Sequence, residues 1–138
     1  MGIKLYVAEP FAERARDLFM GQPASRLHVP GLFFGECANI LWKYVRRFGM
    51  PLADARRIVP DLRALDLQRT PTIELIDDAL DIALAYEITA YDACYVALAA
   101  RLAIPLVTAD EALVRKFASA AYDVRWLGSL ALPPAPSS

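Results

Sequence analysis

Short apolar runs that alternate with helical segments constrain the fold of this chain more than any other feature. The clearest run is IPLVTAD at 104–110, a continuous β-rich segment typical of a buried parallel strand. Weaker strand candidates lie at 27–30, 67–73 and 123–128. Helical periodicity predicts helices over 11–20, 31–49, 51–65, 74–86, 90–102 and 110–120. This alternation predicts an α/β domain with a parallel sheet and helices on both of its faces.

Chain length and apolar content bound the architecture. The 138 residues predict a single domain over 1–130, followed by a disordered Pro-rich tail over 131–138. No apolar run approaches the roughly 20 residues of a membrane span. Yet 57% of the residues are hydrophobic, which is high for a small soluble domain. We therefore expect a covered surface, either an oligomer interface or a groove for a partner.

Charge and cysteine usage narrow the class further. The net charge of −1 provides no global basic field, so any nucleic-acid contact needs a local patch. Cys37 and Cys94 lie among apolar residues, which favours reduced core thiols in a cytoplasmic protein over a disulfide. The two cysteines lack nearby histidines and give no zinc spacing, and the single histidine, His28, favours a structural role.

A set of basic residues and a set of aromatic residues can each be interpreted in two ways. The basic residues form either a phosphate-contacting rim or an ordinary solvated face. They are Lys43, Arg46, Arg47, Arg115 and Lys116. The aromatic residues favour the core or a dimer interface over base stacking. They are Trp42, Tyr44, Phe48, Tyr91 and Tyr95.

Three acidic residues stand in apolar segments, where an unpaired charge is costly to desolvate. Each has an ordinary explanation. Glu36 can belong to a solvated helix face, Asp92 can answer Thr89 in a capping box, and Asp110 can cap the helix that follows it.

Capping does not explain why these three residues fall at corresponding places in the pattern. Asp110 ends a predicted parallel strand, Asp92 begins the helix before that strand, and Glu36 lies early in a helix after another strand. All three can therefore reach one cleft at the carboxyl edge of the sheet, where open α/β folds bind ligands. Oxygen ligands in a cluster suit a hard divalent cation.

Two stretches of this sequence resemble a known family. FFGECANILWKYVRR and ITAYDACYVALAARLAIPLVTADEALVRKF look like a PIN domain of the kind found in the toxin ribonucleases of VapBC toxin–antitoxin pairs. The resemblance implies that Glu36, Asp92 and Asp110 bind Mg²⁺ or Mn²⁺ and are catalytic. It also implies supporting roles for Asn39 and Thr108.

The beginning of the chain departs from the family pattern. Family members usually open with a strand that runs into Asp-Ala-Ser/Thr, followed by a helix that carries a lysine. Here MGIKLYVAEP resembles the segment after that strand, with Lys4 at the lysine position. We therefore expect the first central strand and its aspartate to be missing. Either an in-frame upstream segment encodes them or the protein is a degenerate member.

The sequence leaves three hypotheses for function. The first is a metal-dependent endoribonuclease, the toxin of a toxin–antitoxin pair, which forms a homodimer, binds an antitoxin and acts on RNA in the cytoplasm. The second is a catalytically impaired PIN-like module that dimerises or binds a partner protein, which the missing aspartate favours. A phosphoacceptor receiver domain is disfavoured, because the chain lacks an early acidic pair and a lysine after a late strand.

Overall fold

The computed structural model describes residues 6–8, 27–118 and 121–126. Within them, five strands form one parallel sheet in the order β3-β2-β1-β4-β5. The strands are β1 (Tyr6–Ala8), β2 (Leu27–Pro30), β3 (Gln68–Thr70), β4 (Leu106–Thr108) and β5 (Val124–Trp126). The helix predicted over 11–20, the tail over 131–138 and Lys4 lie outside the described residues.

The centre of the sheet differs from expectation. We expected the central strand to be missing, but β1 occupies that place and pairs in parallel with both β2 and β4. The segment IKLYVA supplies β-branched and aromatic residues that suit a strand, and without it the facing edges of β2 and β4 would have unpaired backbone groups. The expected absence of a central strand was therefore wrong, whereas the parallel α/β fold is confirmed.

Helices cover both faces of the sheet at β4. Its consecutive residues Leu106, Val107 and Thr108 are all fully buried. Because successive side chains on a strand point to opposite faces, burial of all three requires packing on both sides. The three-layer arrangement predicted from the apolar run is thus confirmed at this strand.

The described helices follow the predicted pattern closely. They are α1 (Phe33–Phe48), α2 (Leu52–Ala64), α3 (Ile76–Tyr86), α4 (Ala90–Leu102) and α5 (Glu111–Lys116). Gly49 ends α1 in the left-handed conformation, with φ 73°, as a glycine after a helix commonly does. The strand predicted over 67–73 is shorter, because Pro71 cannot donate to the ladder and Thr72–Leu75 forms a 3₁₀ turn.

Helix α4 is the central packing element. Residues 93–99 are all buried, and the helix contacts β1, β2 and β4 as well as α3. A helix buried on all sides is fixed in position by the core. The first turn of α4, which contains Asp92, is therefore held rigidly.

Among the described residues, no single helix is long and apolar enough to cross a membrane. The pair Thr72–Tyr86 and Ala90–Leu102 passes the test of length and composition only when taken together, and it is bent by 115°.

Candidate functional site

Chain connections bring the three predicted carboxylates toward the carboxyl edge of the sheet. Glu36 lies in the first turn of α1, which begins shortly after β2 ends. Asp110 directly follows β4, and Asp92 lies in the first turn of α4, the helix that leads back into β4. β2 and β4 flank β1, so the loops that follow their carboxyl ends are neighbours.

Asp110 is held by two local hydrogen bonds. Its backbone N–H donates to Oγ1 of the fully buried Thr108 at 3.0 Å, and its Oδ1 accepts from the N–H of Leu113 at 3.2 Å. The cap predicted from sequence is confirmed and uses one carboxylate oxygen. Thr108 supports the position of Asp110 through the backbone.

Asp92 lies in the capped first turn of α4 and interacts with the charge of Asp110. Its N–H donates to Oγ1 of Thr89 at 3.1 Å, which confirms Thr89 as the N-cap of α4. Burial raises the pKa of Asp92, the negative charge of Asp110 raises it further, and a hydrogen bond with Thr89 lowers it. Asp92 and Asp110 are therefore close enough to repel each other.

Glu36 is coupled to this pair through Asp92. Burial raises its pKa, the nearby hydroxyl of Tyr95 lowers it, and the charge of Asp92 raises it. Its Oε1 atom is buried and has no hydrogen-bond partner of good geometry among the described residues. Buried carboxylate oxygens are normally paired, so this atom indicates a place for a ligand.

Among the described residues, no cation forms an ion pair with the cluster. None of the ion pairs formed within the described residues includes Glu36, Asp92 or Asp110. Within the same part of the chain, no three His, Cys, Asp or Glu side chains stand close enough to hold a metal ion as a preformed group. The structure thus shows pairwise repulsion along the series Glu36–Asp92–Asp110, and the joint metal site remains a prediction.

The negative charge of Glu36 also affects two buried thiols. Burial and then the charge of Glu36 raise the pKa of Cys37 to about 12 and also raise that of Cys94. Both cysteines are free, which confirms the prediction of reduced core thiols. Protonated thiols of this kind are poor nucleophiles and metal ligands.

Tyr95 has a role that sequence reasoning missed. It is fully buried, as predicted for a core aromatic residue, and its hydroxyl lies near enough to Glu36 to lower the pKa of that carboxyl. The available signal was its position three residues after Asp92, which places both on one side of α4. Asn39, the other predicted supporting residue, is exposed on α1.

The predicted basic rim divides into separate local contacts. Arg115 pairs with Glu111 at 3.9 Å, and Lys116 donates to the carbonyl oxygens of Tyr86 and Glu87 at 3.2 and 2.8 Å. On α1, the Arg47 guanidinium lies 6.0 Å from the centroid of the Trp42 ring. The structure therefore gives the solvated-face reading more support than a continuous phosphate-binding rim.

A parallel α/β sheet with an acidic cluster at its carboxyl edge agrees with the family resemblance. Residues 3–118 match the PIN domain family, and the chain belongs to that family.

Two individual proteins are similar to this chain in sequence. The chain is 36% identical over 117 residues to "Ribonuclease VapC3" of Pyrobaculum aerophilum. The aligned segment covers 82% of this chain and 86% of the relative. It is 41% identical over 87 residues to "Ribonuclease VapC9" of Mycobacterium tuberculosis, covering 63% of this chain and 67% of the relative.

Solved structures agree with the fold. The crystal structure of PAE2754 from Pyrobaculum aerophilum superimposes with a TM-score of 0.69 at 23% identity, covering 92% of this chain and 86% of that one. A toxin–antitoxin complex from Klebsiella pneumoniae gives a TM-score of 0.53 at 13% identity, covering 84% of this chain and 92% of that one.

Proposed function

We propose that this protein is a divalent-metal-dependent endoribonuclease and the toxin of a toxin–antitoxin pair. The observation that carries the proposal is the series of carboxylates Glu36, Asp92 and Asp110. The charge of Asp92 raises the pKa of Glu36, and that of Asp110 raises the pKa of Asp92. A cluster of mutually repelling carboxylates that has no ion-paired cation within the described part of the chain suits a site completed by a bound metal ion.

Relatives support the same activity. Two proteins that this chain resembles at 36% and 41% identity are named as VapC ribonucleases. The similar structure from Klebsiella pneumoniae is that of a toxin–antitoxin complex. By analogy we assign RNA as the substrate and an antitoxin protein as the partner, and we place the reaction in the cytoplasm.

The side chains of the cluster fit a hard cation. Every candidate ligand is a carboxylate, and the buried Oε1 of Glu36 lacks a well-aligned partner among the described residues. Glu36, Asp92 and Asp110 would hold Mg²⁺ or Mn²⁺ directly or through water. Such an ion, when bound, polarises a phosphate and lowers the pKa of water for hydrolysis of a phosphodiester.

The protein's own contribution is positioning. Tyr95 favours the charged form of Glu36, Thr89 fixes the first turn of α4 beneath Asp92, and Thr108 fixes the backbone of Asp110. These contacts hold the acidic groups on rigid elements, as accurate placement of phosphate and water requires.

A second candidate is a PIN module with impaired catalysis that binds a partner protein. One observation favours it. The family resemblance implies an aspartate at the end of the central strand, but β1 (Tyr6–Ala8) contains no acidic residue. The next residue in the sequence, Glu9, lies outside the described residues.

Cleavage of single-stranded RNA by the purified chain separates the two candidates. We expect cleavage in Mg²⁺ or Mn²⁺ that stops in EDTA, and Asp92→Asn should reduce the rate at least about a hundredfold. Asp77→Asn is the matched control, because Asp77 also lies in a first helical turn but is exposed on α3. It should leave the rate unchanged.

The possible results of this experiment distinguish the nuclease from the impaired module. Cleavage that persists in EDTA, or equal rates for Asp92→Asn and the parent protein, would contradict the proposed mechanism. A folded parent protein that cleaves no RNA would support the impaired module instead.

A further inference from the structure

Helix α5 orients the carboxylate of Asp110, yet it is only 6 residues long. The Oδ1 atom of Asp110 accepts from the N–H of Leu113 in the first turn, so the orientation of that carboxylate follows the position of the helix. A helix of this length spans about 9 Å and is marginal without tertiary contacts. The placement of α5 must therefore come from contacts made further along it.

Lys116 joins the far end of α5 to the end of α3. Its Nζ atom donates to the carbonyl oxygens of Tyr86 at 3.2 Å and of Glu87 at 2.8 Å. The last turn of α3 contains no basic residue, and Glu87 ends that helix in the left-handed conformation, with φ 55°. A cation stabilises the final carbonyl groups of a helix by hydrogen bonding and through the macrodipole. Lys116 thus caps α3 from another helix.

An aromatic contact supports the same junction from the interior. The ring of Phe117, which is buried, lies with its centroid 4.4 Å from that of Tyr86. Tyr122 contacts both rings, at 5.9 Å from Tyr86 and 5.7 Å from Phe117. Tilted and edge-to-face contacts of this kind are favourable aromatic geometries. The junction between α3 and α5 therefore combines packed rings in the interior with directed hydrogen bonds at the surface.

The junction lies between the elements that hold two of the proposed metal ligands. Thr89, which caps α4, follows Glu87 by two residues, and Asp92 lies in the first turn of that helix. Asp110 caps α5 itself. A shift of α5 relative to the α3–α4 connection would therefore change the separation of the two carboxylates. Because metal–ligand distances are accurate to about 0.2 Å, such a shift would weaken a shared site.

A phosphate contact is the alternative role for Lys116, as one of the basic residues near RNA. The hydrogen bonds to Tyr86 and Glu87 already engage its ammonium group. A phosphate that took over these donors would remove the capping contacts at the end of α3. The observed geometry therefore favours a role within the protein over contact with RNA.

We propose that Lys116 is a positioning residue, which fixes the separation of Asp92 and Asp110 by tying α5 to the α3–α4 connection. The proposal rests on the proposed function in taking these aspartates as metal ligands. Among the described residues, Lys116 forms no ion pair with either aspartate. Its effect therefore passes through the backbone of Tyr86 and Glu87.

Mn²⁺ titration of the full chain, at a temperature where every variant is folded, tests the proposal. Lys116→Met removes the donors and should weaken Mn²⁺ affinity at least about fivefold. Lys116→Arg keeps donors at this position and should bind within about twofold of the parent protein. Arg115→Met is the matched control, because it removes the same charge from the same helix, and Arg115 is exposed and pairs only locally with Glu111. It should also bind within about twofold of the parent protein.

Hydrogen exchange in EDTA gives a second readout that needs no metal. The N–H groups of Asp92 and Leu113 report on the first turns of α4 and α5, because they donate to Thr89 Oγ1 and Asp110 Oδ1. Lys116→Met should accelerate exchange at both sites by a larger factor than at the buried residues 96–99 of α4. Uniform acceleration would indicate a loss of global stability alone and would overturn the proposal.

Other results would also overturn it. These are unchanged Mn²⁺ affinity in Lys116→Met, an equal loss in Arg115→Met, or a loss in Lys116→Arg as large as in Lys116→Met. Weaker RNA binding by Lys116→Met with unchanged Mn²⁺ affinity would assign Lys116 to phosphate contact instead. Failure of the proposed function appears separately, as a folded parent protein that binds no Mn²⁺. The exchange pattern then still decides whether Lys116 holds the two first turns in place.

Discussion

At the scale of single residues, the ionised carboxylate of Glu36 opposes folding. Its carboxylate is half-buried, faces the charge of Asp92 and has one buried oxygen without a well-aligned partner among the described residues. Groups that oppose folding in this way are common at functional sites, where they are retained for what they bind.

Glu36→Gln should therefore stabilise the metal-free protein at neutral pH. The folded-state pKa of Glu36 is raised, so ionisation opposes folding above that pKa, and the penalty disappears below the unfolded value of about 4.3. Allowing for solvent screening, we expect a gain in Tm of about 1–3 °C at pH 7 that shrinks toward pH 4.

Thermal unfolding in EDTA across this pH range measures the effect. Asp77→Asn serves as control, because Asp77 is exposed, and it should not raise Tm. A lower Tm for Glu36→Gln at pH 7 would contradict the assignment of burial and repulsion as the dominant influences on Glu36.

At the scale of elements, the first turn of α4 links stability to the site. Thr89 Oγ1 accepts from the N–H of Asp92 at 3.1 Å, and the helix beyond it is buried over residues 93–99. The same hydroxyl lowers the pKa of Asp92. One side chain thus caps the central helix and favours the charged form of a proposed ligand.

Thr89→Ala should lower stability by about 1 kcal/mol, the usual cost of losing an N-cap, which corresponds to roughly 3 °C in Tm for a domain of this size. Thr89→Ser keeps the hydroxyl and should remain close to the parent protein. Thermal unfolding of the two variants side by side measures the difference. Equal values of Tm for alanine and serine would show that the cap contributes nothing.

Sequence patterns predicted the elements where local signals agree with tertiary packing. The run at 104–110 contains β4, Gly49 ends α1, and Thr89 caps α4 as the spacing predicted. The central strand was mispredicted, because the resemblance placed Tyr6–Ala8 after a strand, whereas its pairing with β2 and β4 depends on distant segments. Long-range pairing of this kind is not encoded in local periodicity.

The site was predictable by residue type and position, but its electrostatics were not. Spacing placed Glu36, Asp92 and Asp110 near one edge. Burial of the Glu36 Oε1 atom and its nearness to the Tyr95 hydroxyl depend on how α1 packs near α4. The repulsion along the series follows from that packing.

At the scale of the whole molecule, exposed apolar side chains indicate assembly. One set lies on α1 and α2, where Trp42, Phe48 and Leu52 are exposed by 52, 74 and 54%. A second set forms a stripe at helical spacing that runs from the 3₁₀ turn through α3. Its members are Ile73, Ile76, Leu80 and Leu84, exposed by 79, 41, 54 and 73%.

We propose that the α3 stripe forms a homodimer, because apolar side chains in line along a helix suit a self-complementary contact. A stable interface of this kind would bury about 1,200–2,000 Å² in total. Sedimentation at micromolar concentration should show a dimer, and Leu80→Glu/Leu84→Glu should give a monomer. Trp42→Glu/Leu52→Glu is the matched control and should remain dimeric. A monomeric parent protein, or dissociation by the control alone, would contradict this assignment.

The measurement that tests the central claim most directly is a titration of the chain with Mn²⁺ in the absence of RNA. Electron paramagnetic resonance of the free ion measures how much Mn²⁺ is bound. If Glu36, Asp92 and Asp110 form one site, the parent protein binds Mn²⁺, and Glu36→Gln, Asp92→Asn and Asp110→Asn each weaken its affinity at least about tenfold. Asp77→Asn should bind as the parent does. Unchanged affinity in all three site variants, or no Mn²⁺ binding by a folded parent protein, would contradict the account.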